Sequence, residues 1–235
     1  MKSERIKLTF DKPRILVCGD VHAPFEDRAK LKEFFKFAKD FKPNVVIQIG
    51  DMLDLYTFSR FAKSVDLITP KQELEKGREV AADFWRTIGS LCPSATKWQM
   101  RGNHSQRIVK NLMAKAPEYE SLLEAPISSL LEFPGVRNMK SSRSELLIND
   151  TLFIHGWSCK PLFHTRYFGQ SVCHGHTHHG GVDFLAHKGK ALFELDCGHV
   201  ADVDQLPLQY GETKTSNWVA GFGYIDNLGP RFISL

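Results

Sequence analysis

No apolar run in this 235-residue chain approaches the ~20 residues that a membrane-spanning helix needs, so no membrane role is expected. Cysteine is sparse. The five that are present (Cys18, Cys92, Cys159, Cys173 and Cys197) are odd in number, widely spread and form no C-x-x-C pair. That pattern argues against a disulfide framework or a thiolate zinc site and points to a reducing cytoplasm. The amino terminus, Met1 to Phe10, is basic but runs into Asp11-Lys12-Pro13 without an apolar core, so it does not read as a secretory signal. Charge of one sign is also scarce. Lys+Arg 31 against Asp+Glu 27 leaves a formal net charge of +4, too slight to point to nucleic acid by charge alone. Repeats, low-complexity tracts and Pro/Gly/Ser linkers are missing too, so one domain over residues 1–235 is expected rather than two joined by a hinge.

What is present belongs to an ordinary globular chain, with 42% hydrophobic and 25% charged residues, which excludes disorder for most of it. Its length can bury a core without disulfides or metals as staples. Histidine stands out, at ten residues, because imidazole is the commonest protein ligand for transition metals.

Three strand–loop–helix units open the chain. Arg14 to Cys18 is a β-rich run ending at Gly19-Asp20, followed by a helical stripe of Leu31, Phe34, Phe35 and Ala38. Val45 to Ile49 ends at Gly50-Asp51, and Thr69-Pro70 supplies an N-cap and a helix-starting proline for a helix to about Leu91. Thr96 to Met100 then ends at Gly102-Asn103. Such units predict parallel strands with crossover helices, whose ligands bind beyond the carboxyl ends of the strands. From about 104 to 133 the pattern is helical, with Ile108, Val109, Leu112 and Met113 as an apolar stripe and fresh starts at Pro117 and Pro126, which predicts a helical insertion. After Gly135 the chain is mainly β, in the runs 145–148, 151–154, 182–185, 191–195 and 218–225, with a hairpin turn at Asn149-Asp150.

The ends of the runs carry the chemistry: Asp20-Val-His22, Gly50-Asp51-Met-Leu-Asp54, Gly102-Asn103-His104, His155-Gly156 and Gly175-His176-Thr-His178. Carboxylate with neutral imidazole suits Mn²⁺, Fe²⁺, Ni²⁺ or Zn²⁺, whereas Mg²⁺ and Ca²⁺ sites are dominated by oxygen. Glycine beside each ligand lets the backbone turn sharply.

This ordered set resembles the calcineurin-like metallophosphoesterase superfamily, whose signature runs D-x-H, G-D-x-x-D, G-N-H-[D/E], H and G-H-x-H. The resemblance implies an α/β fold, a four-layer α/β/β/α sandwich of two mixed β-sheets flanked by helices. It implies two divalent metal ions, Mn²⁺ first with Fe, Ni or Zn as alternatives. Asp20, His22, Asp51 and His178 would hold one ion, and Asp51, Asn103, His155 and His176 the other. The implied reaction is hydrolysis of a phosphoester by attack of metal-bound hydroxide. His104 would act as the catalytic acid, oriented by Asp54. The compact size, the Gly-Asn-His-x-x-Arg run and the segment from Trp218 to Gly223 look like small phage and bacterial DNA phosphoesterases. A phosphodiesterase or nuclease acting on DNA or nucleotides is therefore the first expectation, with a phosphomonoesterase on nucleotides or phosphoproteins and a non-catalytic scaffold as the alternatives.

One position departs from the signature: Ser105 stands where the family usually has Asp or Glu. The residue can cap the helix that follows. Asn103 and Arg107 are candidate phosphate contacts, Arg107 because it shares a face with His104 near a helix amino end; otherwise it is a solvated or Glu-paired arginine. Phe163, Tyr167 and Phe168 with Arg166 form either a base-stacking platform or core packing. His164, His174, His179, His187 and His199 are expected in packing or surface roles. Oligomeric state is left open.

Overall fold

The computed structural model describes residues 4–60, 67–115, 117–118, 131–205 and 217–235. Its strands are β1 (Arg5–Leu8), β2 (Ile15–Cys18), β3 (Val45–Gln48), β4 (Thr96–Gln99), β5 (Val136–Asn138), β6 (Glu145–Ile148), β7 (Thr151–Phe153), β8 (Ser171–His174), β9 (Gly181–His187), β10 (Lys190–Asp196), β11 (Gly221–Asp226) and β12 (Gly229–Ser234). The described α-helices are α1 (Arg28–Phe41), α2 (Pro70–Leu91), α3 (Arg107–Lys115) and α4 (Phe163–Phe168).

Two mixed sheets result, in the orders β12-β11-β2-β3-β4-β5 and β1-β6-β7-β8-β10-β9. β2, β3, β4 and β5 run parallel, as the strand–loop–helix units predict. Strand periodicity explains the layering. Ile15 and Val17 of β2 pack with Ile47, Leu146, Phe153, Cys173 and Leu195 between the sheets. Leu16 and Cys18, on the opposite face, meet Phe34 and Ala38 of α1 and Phe84, Trp85 and Ile88 of α2. On the outer face of the second sheet, Leu152 and Val172 pack against Phe168 of α4. The order is thus helix, sheet, sheet, helix, which is the expected four-layer sandwich.

Local chemistry fixes the helix ends. Thr69 and Gln72 form a capping box, with Pro70 at the first helical position of α2, and Asp27 accepts from Ala29 and Lys30 to cap α1. The Asn149-Asp150 hairpin is present: Ile148 pairs with Thr151, and Asn149 takes φ +50°, a turn conformation that Asn tolerates.

The sequence reading needs correcting in three places. β1, β5, β8 and β12 have no counterpart in it. The last run, expected from Trp218, begins as β11 only at Gly221, which leaves Trp218 outside the sheet. Of the helical insertion, the described part is a 3₁₀ turn, His104–Gln106, leading into α3, whose Ile108 is buried while Met113 is exposed. Residue 116 and residues 119–130, with Pro126, lie outside the described residues. Among the described residues no helix is long and apolar enough to cross a membrane.

Candidate metal centre

Every candidate ligand stands just beyond the carboxyl end of a strand. Asp20 and His22 follow β2, Asp51 and Asp54 follow β3, Asn103 and His104 follow β4, His155 follows β7, and His176 and His178 follow β8. Backbone bonds tie these loops together. The N–H groups of His22 and Ala23 donate to the carbonyls of Asp51 and Met52 at 2.9 and 2.8 Å. The His176 N–H donates to Asp20 Oδ2 at 2.8 Å, and the His104 N–H to Asp51 Oδ1 at 2.9 Å. Close approach requires glycine at two positions. A Cβ on Gly102 would overlap the Asp51 carboxylate, and one on Gly175 would overlap that of Asp20. Four of these residues also hold left-handed backbone, with φ +55° at His22, +43° at Asp51, +72° at His176 and +63° at His178. Strain of this kind persists where surrounding contacts over-determine it, as they do in these loops.

The side chains gather into two groups whose ligand atoms lie within 4.8 Å of one another: Asp20, His22 and His178, and Asp51, His155 and His176. Asn103 Oδ1 joins the second group, 2.9 Å from His155 Nε2 and 2.8 Å from His176 Nδ1. In the first, His178 Nε2 lies 2.9 Å from Asp20 Oδ2 and 3.2 Å from His22 Nε2.

The donor chemistry fits cations. His155 Nδ1 lies 3.3 Å from the Ile49 carbonyl, which makes it the donor and leaves Nε2 aimed at two oxygens, Asn103 Oδ1 and Asp51 Oδ2, the latter at 3.1 Å. A lone pair facing two acceptors is repulsive unless a proton or a metal ion lies between them. His22 repeats the arrangement. Its Nδ1 donates to Asp54 Oδ2 at 2.8 Å, so Nε2 is left for a ligand role, the carboxylate–histidine arrangement that orients metal-binding imidazoles. Asp20 Oδ1 and His178 Nδ1 are buried with no hydrogen-bond partner among the described residues.

In the metal-free chain a proton occupies the position facing those oxygens. Burial works to lower the pKa of His155, but the Asp51 and Asp20 carboxylates outweigh it and raise the ring to about 9. For Asp51 itself, the neighbouring imidazoles overcome burial and hold the carboxyl well below its usual range. A raised histidine pKa stabilises the metal-free fold fully below the unfolded value of about 6.5. That contribution is lost as pH rises to about 9. Metal binding displaces the same proton, so affinity runs the other way and rises with pH across this window, about tenfold per unit for one proton displaced. His176 is lowered to about 4 by burial and by His155, so its ring is neutral at pH 7 and releases nothing. Calorimetric titration with Mn²⁺ at pH 7, in buffers of different ionisation enthalpy, is expected to show about one proton or more released per chain. Binding without proton release would contradict the assignment of His155.

Above the two groups lies His104. Its Nδ1 is 3.3 Å from Asp54 Oδ2, and its Nε2 accepts from the Arg107 guanidinium at 2.8 Å. Although His22, Asp51 and His104 also have ligand spacing, Nε2 of His104 is occupied in this way, and its distance to Asp51 Oδ2 is 3.7 Å. Burial pushes the His104 ring below its ordinary pKa, against the pull of Asp51 and Asp54. Asp54, fully buried, is the hub: besides the two imidazoles, its Oδ1 and its carbonyl each accept from Arg107 at 2.9 Å. Arg107 is therefore neither solvated nor paired with a glutamate, and three of the guanidinium's five N–H donors are engaged with Asp54 and His104. Sequence spacing found its neighbour His104 but gave no sign of Asp54. Ser105 does not cap a helix, since its Oγ donates to the Gly102 carbonyl at 2.7 Å and steadies the turn that carries Asn103.

The remaining histidines divide as expected, with His164, His174 and His199 buried. His164 and His174 meet buried Glu194, a fourth group with metal-ligand spacing. His164 Nε2 accepts the Trp157 N–H at 3.1 Å, so the neutral ring carries its proton on Nδ1, the atom that faces Glu194. The group is thus a buried support behind the His155-Gly156 and Gly175-His176 turns. Tyr167 and Trp157 are 67% and 48% exposed, so Tyr167 is not core, while Phe168 packs on the outer sheet face.

The family model for calcineurin-like phosphoesterases matches residues 13–180. The Gene 54 protein of Mycobacterium phage D29 is 27% identical over 241 residues, covering 90% of this chain and 88% of that protein. Among solved structures, YfcE, a phosphoesterase from E. coli, aligns with 14% identity and a TM-score of 0.41 over 91% of this chain and 88% of its own. Vacuolar protein sorting 29 from Cryptosporidium parvum aligns with 13% identity and a TM-score of 0.44, covering 95% and 97% respectively.

Proposed function

The chain belongs to the calcineurin-like phosphoesterase family, and from that premise we propose that it is a two-metal phosphoesterase that hydrolyses phosphodiesters of nucleic acid or nucleotides. The observation that carries the reading is the buried Asp51 carboxylate, which has ligand spacing to His155 and His176 and also to His22 of the Asp20–His22–His178 group. Asp20, His22, Asp51 and His178 would hold one divalent ion and Asp51, Asn103, His155 and His176 the second. Oxygen and imidazole donors without thiolate favour Mn²⁺, with Fe, Ni or Zn next. When bound, the two ions would supply a water activated near neutral pH and positive charge for the phosphoryl oxygens.

The residues of the chain do the rest. The role we assign to His104 is to protonate the leaving oxygen through Nε2, which requires the Arg107 N–H that this atom accepts to give way to a proton, with Nδ1 3.3 Å from Asp54 Oδ2. Arg107 lines the cleft and binds both Asp54 and His104. We assign it first to positioning that pair, with its uncommitted N–H groups left for a phosphate oxygen. Asn103 turns Oδ1 to the His155 and His176 rings, which leaves its amide NH₂ as a second phosphate donor. All five cysteines are free and four are buried, which suits a reducing cytoplasm.

An assay of the Mn²⁺-loaded protein against bis(p-nitrophenyl) phosphate and p-nitrophenyl phosphate tests this reading. The diester is expected to turn over with kcat/KM at least about tenfold above the monoester. Exclusive monoester turnover would replace the phosphodiesterase by a phosphatase, and inertness to both with metal bound would leave a scaffold.

A further inference from the structure

The cleft over the candidate metal centre carries more than metal binding requires. Its volume is about 790 Å³, at the size of sites that enclose whole small molecules. One wall is α3. Arg107, Lys110, Asn111 and Ala114 stand at i, i+3, i+4 and i+7, so they share one face, and all four line the cleft. Ile108 and Leu112 turn the other way into the core. The described residues lining the cleft include no carboxylate other than Asp51, which the proposed function assigns to metal, while Arg60 and Lys110 line it. Beyond the metal centre this wall is cationic and suits an anion longer than one phosphoryl group.

Trp218 also lines the cleft. Its indole and the His178 ring are 4.2 Å apart between centroids with the planes at 80°, and the His199 ring lies 5.6 Å away. It also packs on the cluster of Phe25, Tyr56 and Ala201, while still lining the cleft. A half-buried indole that lines the same cleft as the candidate phosphate contacts and Lys110 combines the two elements by which proteins bind nucleic acid strands: a π-face for a base and a cation for a phosphate.

We propose that the cleft takes a phosphodiester flanked by a nucleobase, with the base stacked on Trp218, the scissile phosphate at the metal centre and the adjoining phosphate at Lys110. This rests on the phosphodiesterase reading above and narrows it. The same chemistry is offered by a dinucleotide and by a strand end.

Two esters with one leaving group test it: thymidine 5′-(p-nitrophenyl phosphate) and methyl p-nitrophenyl phosphate, with the Mn²⁺-loaded full chain. The expected KM for the thymidine ester is about 5- to 100-fold below that of the methyl ester, the range for one base on one aromatic side chain. Trp218→Ala is expected to remove the difference and Trp218→Phe to keep most of it. Because Trp218 touches His178, damage to the metal centre would instead lower kcat for both esters alike. That result, with the KM ratio unchanged, would overturn the proposal, as would equal KM values in the unaltered protein. Silence toward both esters would overturn the phosphodiesterase reading and this proposal together. For Lys110, the slope of log KM against log salt with a short oligothymidylate is expected to fall by about 0.7 in Lys110→Ala, and an unchanged slope would remove Lys110 from the site. A KM that drops from dinucleotide to pentanucleotide assigns the site to strand ends, and equal values assign it to dinucleotides; both agree with the proposal.

Discussion

Asp51→Asn is expected to cut hydrolysis by about 10³-fold and to loosen both metal ions at once. Asn is the informative replacement because it isolates charge. Asp51 holds left-handed backbone at φ +43°, a region in which Asn is among the few well-tolerated residues. The carboxamide can also still accept the His104 N–H that Oδ1 accepts at 2.9 Å. What is lost is the negative charge that faces His155 Nε2 at 3.1 Å and serves both candidate ions. Metal stabilisation of transition-state charge amounts to several kcal/mol, and ~4 kcal/mol corresponds to about a 10³-fold loss of turnover. Metal analysis after dialysis should find both ions depleted, and activity near that of the unaltered protein would remove Asp51 from the bridging position.

His104→Ala is expected to separate chemistry from metal binding. The hydrogen bond from this residue to a candidate metal ligand is its backbone N–H to Asp51 Oδ1, which alanine retains; what is lost is ring packing on His22, 4.7 Å between centroids, and the 3.7 Å approach to Asp51 Oδ2. Metal content should therefore stay at its full value while turnover falls about 10²- to 10⁴-fold, the usual range for one general acid or base. The leaving group supplies a second readout. An alkoxide needs the proton more than p-nitrophenolate does, so the loss should be larger for a dinucleotide than for bis(p-nitrophenyl) phosphate. An equal loss on both substrates would argue that His104 orients the substrate instead of moving a proton. Full activity on both would exclude it from catalysis.

The parts legible in the sequence are those that obey local rules. β2 and β3 are near-continuous apolar runs because they are covered on both faces, and these two strands and β4 each lead to a glycine followed by a ligand. Thr69, Pro70 and Gln72 write the start of α2 into adjacent positions. β8 escapes notice because Ser171 and His174 interrupt its apolar character, although all four of its residues are buried. β1 shows only a weak alternation, at a sheet edge, and gains its identity from parallel pairing with β6, 140 residues away. The same distance effect limits the site. The ligands announce themselves at the ends of runs, but the grip of Arg107 on Asp54 joins the start of α3 to a loop 53 residues away, and the left-handed backbone of His22, His176 and His178 is found in loops tied to one another. Buried Glu73 is a further case. It sits in the first turn of α2, where an acid is expected for its favourable interaction with the helix dipole, yet it accepts the backbone N–H groups of Tyr56 and Thr57 and so fixes the turn beyond Asp54.

The account rests on two ions sharing Asp51 and acting together on a phosphoester, and turnover measured against metal equivalents tests that directly. Metal-free protein is titrated with Mn²⁺ while hydrolysis of bis(p-nitrophenyl) phosphate is followed. The expected curve stays low through the first equivalent, rises through the second and levels at two ions per chain. Full turnover at one equivalent, or none at any loading, would contradict it.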